Sequence, residues 1–267
     1  MAVVRKRLGI RSVGHAGTLD PFATGLLVVL VGRATRLARF IEGTEKCYDA
    51  VVRLGVATDT DDATGTVIRE VTPAEWPTSE QVVSAAGALV GRQLQVPPAY
   101  SAKHVDGTRS YALARAGRAV ELAPVEVMVH AFEVAEWTPP TLLIHARVGR
   151  GTYIRSLARD LGERLALPAH CAELRRTSIG PFGVEEAIPP DAVTAAALLP
   201  PSAMLQHLWS EVVGEDAVLE IGFGRAVLQQ VAHEGTGALI AGDGRLVAVA
   251  EGRDGAWHPV VVLEPAA

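Results

Sequence analysis

Apolar residues recur along this chain with two spacings, and each predicts a different kind of element. Between Tyr153 and Leu165, Ile154, Leu157, Ala158, Leu161 and Leu165 share one face at helical spacing, and Asp160 precedes Arg164 by four residues as in a stabilising surface pair. This is the clearest helix. A second is predicted over Ser79 to Val90, where Thr78 and Gln81 have capping-box spacing. Val3 to Leu8 reads as the end of a helix stopped by Gly9, and Ala34 to Ile41 places Leu37, Ala38 and Ile41 on one side with Arg36 and Arg39 elsewhere. Strand patterns appear at Tyr48 to Leu54, Thr66 to Val71, Val125 to Trp137 and Leu142 to Val148, the last two joined by the turn Thr138-Pro139-Pro140. Past the Pro-rich stretch Ile188 to Ser202, Ala238 to Glu251 and Trp257 to Leu263 read as short strands.

Strands and helices mix without regular βαβ alternation. The pattern therefore predicts an α+β fold with a largely antiparallel mixed sheet flanked by helices, followed by a small β-rich module. A length of 267 residues favours a main domain with an appendage, and the expected division is 1–187, a linker at 188–210, and 211–267.

Composition changes this picture in three places. The longest apolar run, Leu26 to Val31, is far too short to span a bilayer, and no apolar signal stretch follows the basic start Arg5, Lys6, Arg7, so no membrane partner or export is expected. Cys47 and Cys171 stand far apart without metal-ligand spacing, as expected for a reduced cytoplasmic protein. The net charge of -5 argues against nucleic acid until its distribution is read: from residue 211 onward three bases face nine acids, a net -6, while the preceding 210 residues carry +1. The main body is free to hold a basic cleft.

The densest cluster of unusual residues is Gly14-His15-Ala16-Gly17-Thr18-Leu19-Asp20-Pro21-Phe22-Ala23-Thr24-Gly25-Leu26-Leu27. Its glycines permit close approach of backbone to a ligand, and Pro21 biases Asp20 towards an extended conformation. Taken alone, Asp-Pro is an ordinary turn pair.

As a whole the run resembles the catalytic motif of the tRNA pseudouridine synthase B family, Gly-His-x-Gly-x-Leu-Asp-Pro-x-Ala-Thr-Gly. Five more segments resemble that family in order: Lys46-Cys47-Tyr48; Thr58 to Gly65; Pro98-Ala99-Tyr100-Ser101-Ala102 with Tyr111 to Gly117; Gly151-Thr152-Tyr153-Ile154-Arg155; and Leu174-Arg175-Arg176-Thr177. Together they span about residues 5 to 183.

The resemblance implies a pseudouridine synthase fold with a PUA-like C-terminal module, and a tRNA partner bound by its T-arm and T-loop. The implied reaction converts uridine-55 to pseudouridine with neither cofactor nor metal, because an aspartate carboxylate serves as the nucleophile. Asp20 holds that position and would attack either ribose C1′ or uracil C6. Arg155 would pair with Asp20 and favour its charged form. Tyr48 would stack on the flipped uracil and assist proton removal from C5, although a lone aromatic in a valine-rich strand equally fits plain core. Tyr153 and Leu174 would line the uracil pocket, with ordinary packing as the alternative, and His15 would meet the RNA where the base leaves its stack. Arg36, Arg175 and Arg176 are candidate phosphate contacts or solvated charge. Asp62 would contact the RNA from the acidic loop; a calcium loop is excluded there, since Ala63 and Thr64 replace a needed ligand and glycine.

Two departures matter. Family members carry an earlier Lys-Pro-x-Gly-x-Thr-Ser strand that buttresses the site, and a misplaced start or a truncation is the simplest expectation for its absence from this sequence. After Ser101-Ala102, Lys103 and His104 replace the family's apolar residue and lysine. The competing reading is a catalytically weak tRNA-binding protein or tRNA-folding chaperone, which needs the cleft but not the nucleophile. An aspartate-dependent glycoside hydrolase would require a second carboxylate for water chemistry. No obligate protein partner is evident.

Overall fold

The computed structural model describes residues 1–100 and 122–265, and in the stretch between them the backbone alone at 104–105 and 108–109. The side chains of Ser101, Ala102, Lys103, His104 and Tyr111 to Gly117 lie outside the described residues.

The chain opens with α1 (Ala2–Leu8), β1 (Val13–Ala16), β2 (Thr24–Gly25), β3 (Val28–Val31), α2 (Ala38–Glu42), β4 (Lys46–Leu54), β5 (Val56–Thr58) and β6 (Val67–Glu70). There follow α3 (Ser79–Gly87), β7 (Gly91–Gln95), β8 (His104–Val105), β9 (Thr108–Arg109), β10 (Val125–Thr138), β11 (Thr141–Val148), α4 (Ile154–Arg164) and β12 (Ala169–Ile179). The remainder is β13 (Phe182–Gly183), β14 (Trp209–Val213), α5 (Glu215–Gly222), β15 (Val227–Leu228), β16 (Gly235–Ala241), β17 (Leu246–Arg253) and β18 (Ala256–Val262).

Two compact units result, and neither is continuous in sequence. One comprises Leu19–Leu26 and Thr44–Ile179; the other comprises Met1–Thr18, Leu27–Gly43 and Gly180–Ala267. Pairing explains why a short loop joins the first: Thr24 and Gly25 of β2 run parallel to Arg175 and Arg176 of β12.

The first unit is built on strands in the order β12-β4-β11-β10-β7. All four pairings are antiparallel. Alternation along β4 buries Tyr48, Ala50, Val52 and Leu54 on one face. Against that face packs α4, whose Leu157, Ala158 and Leu161 are completely buried. Each leucine contributes about 1.5–3 kcal/mol of burial. The capping box before α3 forms in full, with the Thr78 hydroxyl accepting from the Gln81 amide and the Gln81 side chain accepting from the Thr78 amide. Asp160 does not pair with Arg164; both Nε and Nη2 of Arg159 donate to it instead, at 3.1 and 2.9 Å.

β12 escapes the period-two pattern. Bulges between Cys171 and Glu173 and between Arg176 and Ser178 interrupt its alternation, and its buried face includes a charged residue, Arg176.

In the second unit β1 and β3 form an antiparallel pair. The helix predicted over Ala34 to Ile41 is 3₁₀ over Gly32–Leu37 and becomes α only at α2, because the Thr35 hydroxyl donates to the Gly32 carbonyl at 2.8 Å and favours the tighter turn. The C-terminal strands form a five-stranded sheet, β14-β16-β17-β18-β15, around Ile221, Leu239, Val247 and Trp257. Among the described residues, no helix is long and apolar enough to cross a membrane.

Candidate active site

Within the first unit, Asp20 begins a turn in which its carbonyl accepts from the Ala23 amide at 2.9 Å, with Pro21 and Phe22 between them. Beyond the turn the chain is pinned to β12: the Leu26 amide donates to the Arg176 carbonyl at 2.8 Å. Gly25 makes this possible. It has φ +96°, and a Cβ there would lie 2.2 Å from the Arg176 carbonyl oxygen. Phe22 and Ala23 pack on the core, so the loop that presents Asp20 is held both within the turn and beyond it.

Arg155 enters from the first turn of α4, 135 positions away in sequence. Its guanidinium is buried, with only 4% of the side chain exposed, against 28% for Asp20. Nε and Nη2 each donate to one carboxylate oxygen of Asp20 at 3.0 Å, the bidentate arrangement that fixes both groups in plane. Nη1 donates to the Thr60 carbonyl at 2.9 Å and to Asp62 at 3.3 Å, and Nη2 also donates to the Tyr100 carbonyl at 3.0 Å. Five acceptors meet the five N–H groups an arginine possesses. No donor is left over.

The loop between β5 and β6 gives each of its carboxylates a separate partner. Asp59 accepts from the Thr66 amide at 2.7 Å, Asp61 pairs with Arg159 at 2.8 Å, and Asp62 pairs with Arg155. The second oxygen of Asp62 accepts from both hydroxyls of Thr60 and Thr64 and from the Thr64 amide, at 2.6–2.9 Å. Cys171 stitches the loop to β12, its amide donating to Asp61 and its carbonyl accepting from Ala63. Burial pushes the Cys171 thiol well above its ordinary range, as do the nearby Asp20 and Asp62 charges, so it behaves as a small core residue. Burial also raises Asp61 despite Arg159.

Tyr48 is the third residue of β4, opposite Ala146 on one side and Arg176 on the other. Burial raises its phenol above 10, Arg176 opposes the rise through charge and a hydrogen bond, and the Asp20 charge adds to it. Leu174 faces Ala50 on the same buried surface. Tyr153 caps α4, and its backbone is gripped by a residue that the sequence had not singled out. Gln95, 1% exposed, accepts from the Tyr153 amide at 2.8 Å and donates to the Tyr153 carbonyl at 3.1 Å. Ser156 and Arg159 donate to the neighbouring Val96 carbonyl, so the end of β7 sets where α4 begins. Nothing in the sequence marked it, because its burial follows from the pairing of β7 with β10.

The structure thus brings Asp20, Arg155, Tyr48, Leu174 and Tyr153 into one unit, with two corrections. Asp62 is not a surface contact for RNA; it is buried and saturated with hydrogen bonds that hold Arg155. Arg176 is not a free phosphate contact either: it is 1% exposed, and its Nε donates to the Leu26 carbonyl at 2.9 Å. Its neighbour Arg175 projects to the opposite, exposed side of β12. His15 and Arg36 belong to the second unit. His15 lies in β1 with Nδ1 buried and lacking a hydrogen-bond partner among the described residues, and Arg36 donates to the Val262 carbonyl at 2.6 Å.

Solved structures share this architecture. A chain of a Cbf5-Nop10-Gar1 complex superposes with a TM-score of 0.70 at 25% identity, covering 94% of this chain and 72% of that one. A chain of the archaeal box H/ACA sRNP Nop10-Cbf5 complex gives 0.73 at 21% identity, over 99% and 81%, and attests the fold alone. The class is that of the pseudouridine synthases, isomerases built on an α+β fold. Residues 5–154 match the TruB family pseudouridylate synthase N-terminal domain and residues 155–208 the tRNA pseudouridylate synthase B C-terminal domain, and the chain belongs to this family. It is 44% identical to the tRNA pseudouridine synthase B of Thermobifida fusca, over 98% of this chain and 92% of that protein. With the tRNA pseudouridine synthase B of Syntrophobacter fumaroxidans it shares 39% identity, over 96% and 87%.

Proposed function

We propose that this enzyme isomerises the T-loop uridine-55 of tRNA to pseudouridine, with Asp20 as nucleophile. The observation that carries the reading is the Asp20 carboxylate, held bidentate by a saturated, buried guanidinium while part of its own side chain stays open to solvent. A pre-aligned nucleophile loses little on reaching the reacting geometry.

The target nucleotide must leave its stack before a protein carboxylate can approach it. Asp20 then bonds to ribose C1′ as the C1′–N1 bond breaks and uracil leaves as an anion, or it adds to uracil C6 and the C1′–N1 bond breaks in the adduct. After the base rotates, C5 bonds to C1′, the carboxylate leaves, and the C5 proton is lost while the ring nitrogen gains one. No atom is gained or lost, so the cycle needs no cofactor. Tyr48 contributes a stacking face; with its phenol raised by burial it starts the cycle protonated and is a poor base until a partner takes its proton. Leu174 and Tyr153 supply apolar walls, and Arg175, His15 and Arg36 remain the candidate RNA contacts. Residues 1–187 would carry the catalysis, with 188–210 linking them to a PUA-like module at 211–267.

The test is to incubate an unmodified tRNA transcript with the protein and map pseudouridine in the T-loop. Product from the wild type and none from Asp20→Ala is expected, with Asp20→Asn retaining RNA affinity in a filter-binding titration. Tight binding without product from the wild type would overturn the reading in favour of a tRNA-binding chaperone.

A further inference from the structure

The charge of the second unit is segregated along its sequence. Residues 1–18 and 27–43 carry Arg5, Lys6, Arg7, Arg11, Arg33, Arg36 and Arg39 against the single acid Glu42, a net +6. Residues 180–267 carry three bases against twelve acids, a net -9. Elsewhere six arginines pair with carboxylates: Arg92, Arg147, Arg155, Arg159, Arg225 and Arg245. Among the described residues, none of the seven bases in the +6 segments makes an ion pair.

Four of the seven cluster around α1. Gly9 adopts a left-handed conformation, φ 67°, that ends the helix and turns the chain at Ile10, bringing Arg11 to the same side as Arg5 and Lys6. Together with Ala2, Gly9 and Ile10 these three line an open depression of about 510 Å³ that no acid enters. Arg5 braces its floor, donating to the Arg11 and Val13 carbonyls at 3.3 and 3.0 Å. Lys6 and Arg11 are exposed, and their side chains make no hydrogen bond among the described residues.

A structural explanation exists for part of this: cations in the last turn of a helix offset its carbonyl end. That end is equivalent to about half a negative charge, so three cations in the turn and a fourth just after it exceed what a seven-residue helix needs. The excess produces a positive field on an otherwise acidic protein.

We propose that the depression beside α1 binds the phosphate backbone of the RNA substrate, at nucleotides other than the one that reacts. The inference rests on RNA being the substrate, and it assigns the electrostatic part of RNA binding in the second unit to its N-terminal segments, since the acidic C-terminal module repels phosphate. Arginine and lysine around an open hollow suit phosphate oxygens without reading bases.

The experiment compares wild type, the double variant Lys6→Ala/Arg11→Ala, and Arg253→Ala, an exposed arginine of the acidic module. Filter binding of an unmodified tRNA transcript is measured across a salt series. Neither Lys6 nor Arg11 holds a hydrogen bond that folding would lose, and a thermal melt checks this. Each phosphate contact contributes about 0.7–0.9 to the slope of log affinity against log salt, so the double variant should lose about 1.5 from the slope and bind about tenfold more weakly at low salt. Arg253→Ala should behave as wild type. An unchanged slope in the double variant, or an equal loss in Arg253→Ala, would overturn the proposal. Because binding is read without product, a wild type that binds but does not isomerise sinks the catalytic reading alone, and one that isomerises while the double variant keeps its full slope sinks this one alone.

Discussion

Two loops of this protein pair aspartate with arginine to opposite effect. Between β5 and β6, Asp59, Asp61 and Asp62 occupy four consecutive positions with Thr60; Asp59 stays exposed on the Thr66 amide, while Asp61 and Asp62 turn inward to separate guanidiniums. Between β16 and β17, Asp243 meets Arg245, which also reaches Glu264, all at the surface. Asp243 is lowered by hydrogen bonds from Arg245, whereas Asp61 is raised because burial outweighs Arg159. Solvent makes the difference. In water an ion pair replaces hydration that was already favourable; inside the protein each partner depends on the other and on a few fixed polar groups in place of water.

Breaking the buried loop's central cation tests this most severely. Arg155→Ala leaves Asp20 and Asp62 without their partner and should cost about 3–5 kcal/mol in urea unfolding, with loss of pseudouridine formation. Arg155→Lys keeps the charge but offers three donors to five acceptors, and is expected to lower turnover about 100-fold through misplacement of Asp20. Equal activity of the lysine variant and the wild type would show that charge alone suffices.

Gln95→Ala removes both clamps on Tyr153 and should cost about 1–3 kcal/mol. As a positioning change it should lower kcat more than it raises KM, with Gln95→Glu recovering part of the loss because it can still accept from the Tyr153 amide. A pure KM effect would place Gln95 in RNA binding instead.

A smaller effect concerns pH. The folded value of Asp61 is raised above 3.8, so the folded state holds its proton longer than the unfolded chain, and stability from this group is fully present below 3.8 and declines as pH rises through the folded value. Asp61→Asn should therefore flatten the stability–pH profile just above pH 3.8, as read by denaturant midpoints; a steeper profile would contradict the burial argument. Smallest of all, Asp243→Asn at the exposed turn should leave the melting temperature unchanged within error at moderate salt.

Much of this was legible in the sequence, though unevenly. Helical spacing located α4, the Thr78–Gln81 pair announced the start of α3, and the glycine-punctuated run around Asp20 marked the site. Strand β12 was missed because bulges break its alternation, and with it went the means to tell Arg175 from Arg176: adjacent arginines on a strand point to opposite faces, so one is exposed and the other buried. The acidic loop suggested carboxylates facing RNA, since three aspartates in four residues read as surface. Folding gave two of them arginines from α4.

By itself the sequence determined α3, α4 and the regularly alternating strands, the family motif and the identity of the nucleophile candidate, because these depend on periodicity and on residues close together in the chain. Only the tertiary structure decided that Arg155 closes on Asp20, that Asp62 and Gln95 hold Arg155 and the start of its helix, and that the loop carrying Asp20 joins the β12 sheet. Those contacts link positions 58 to 150 residues apart, and at that separation spacing carries no information about which donor meets which acceptor.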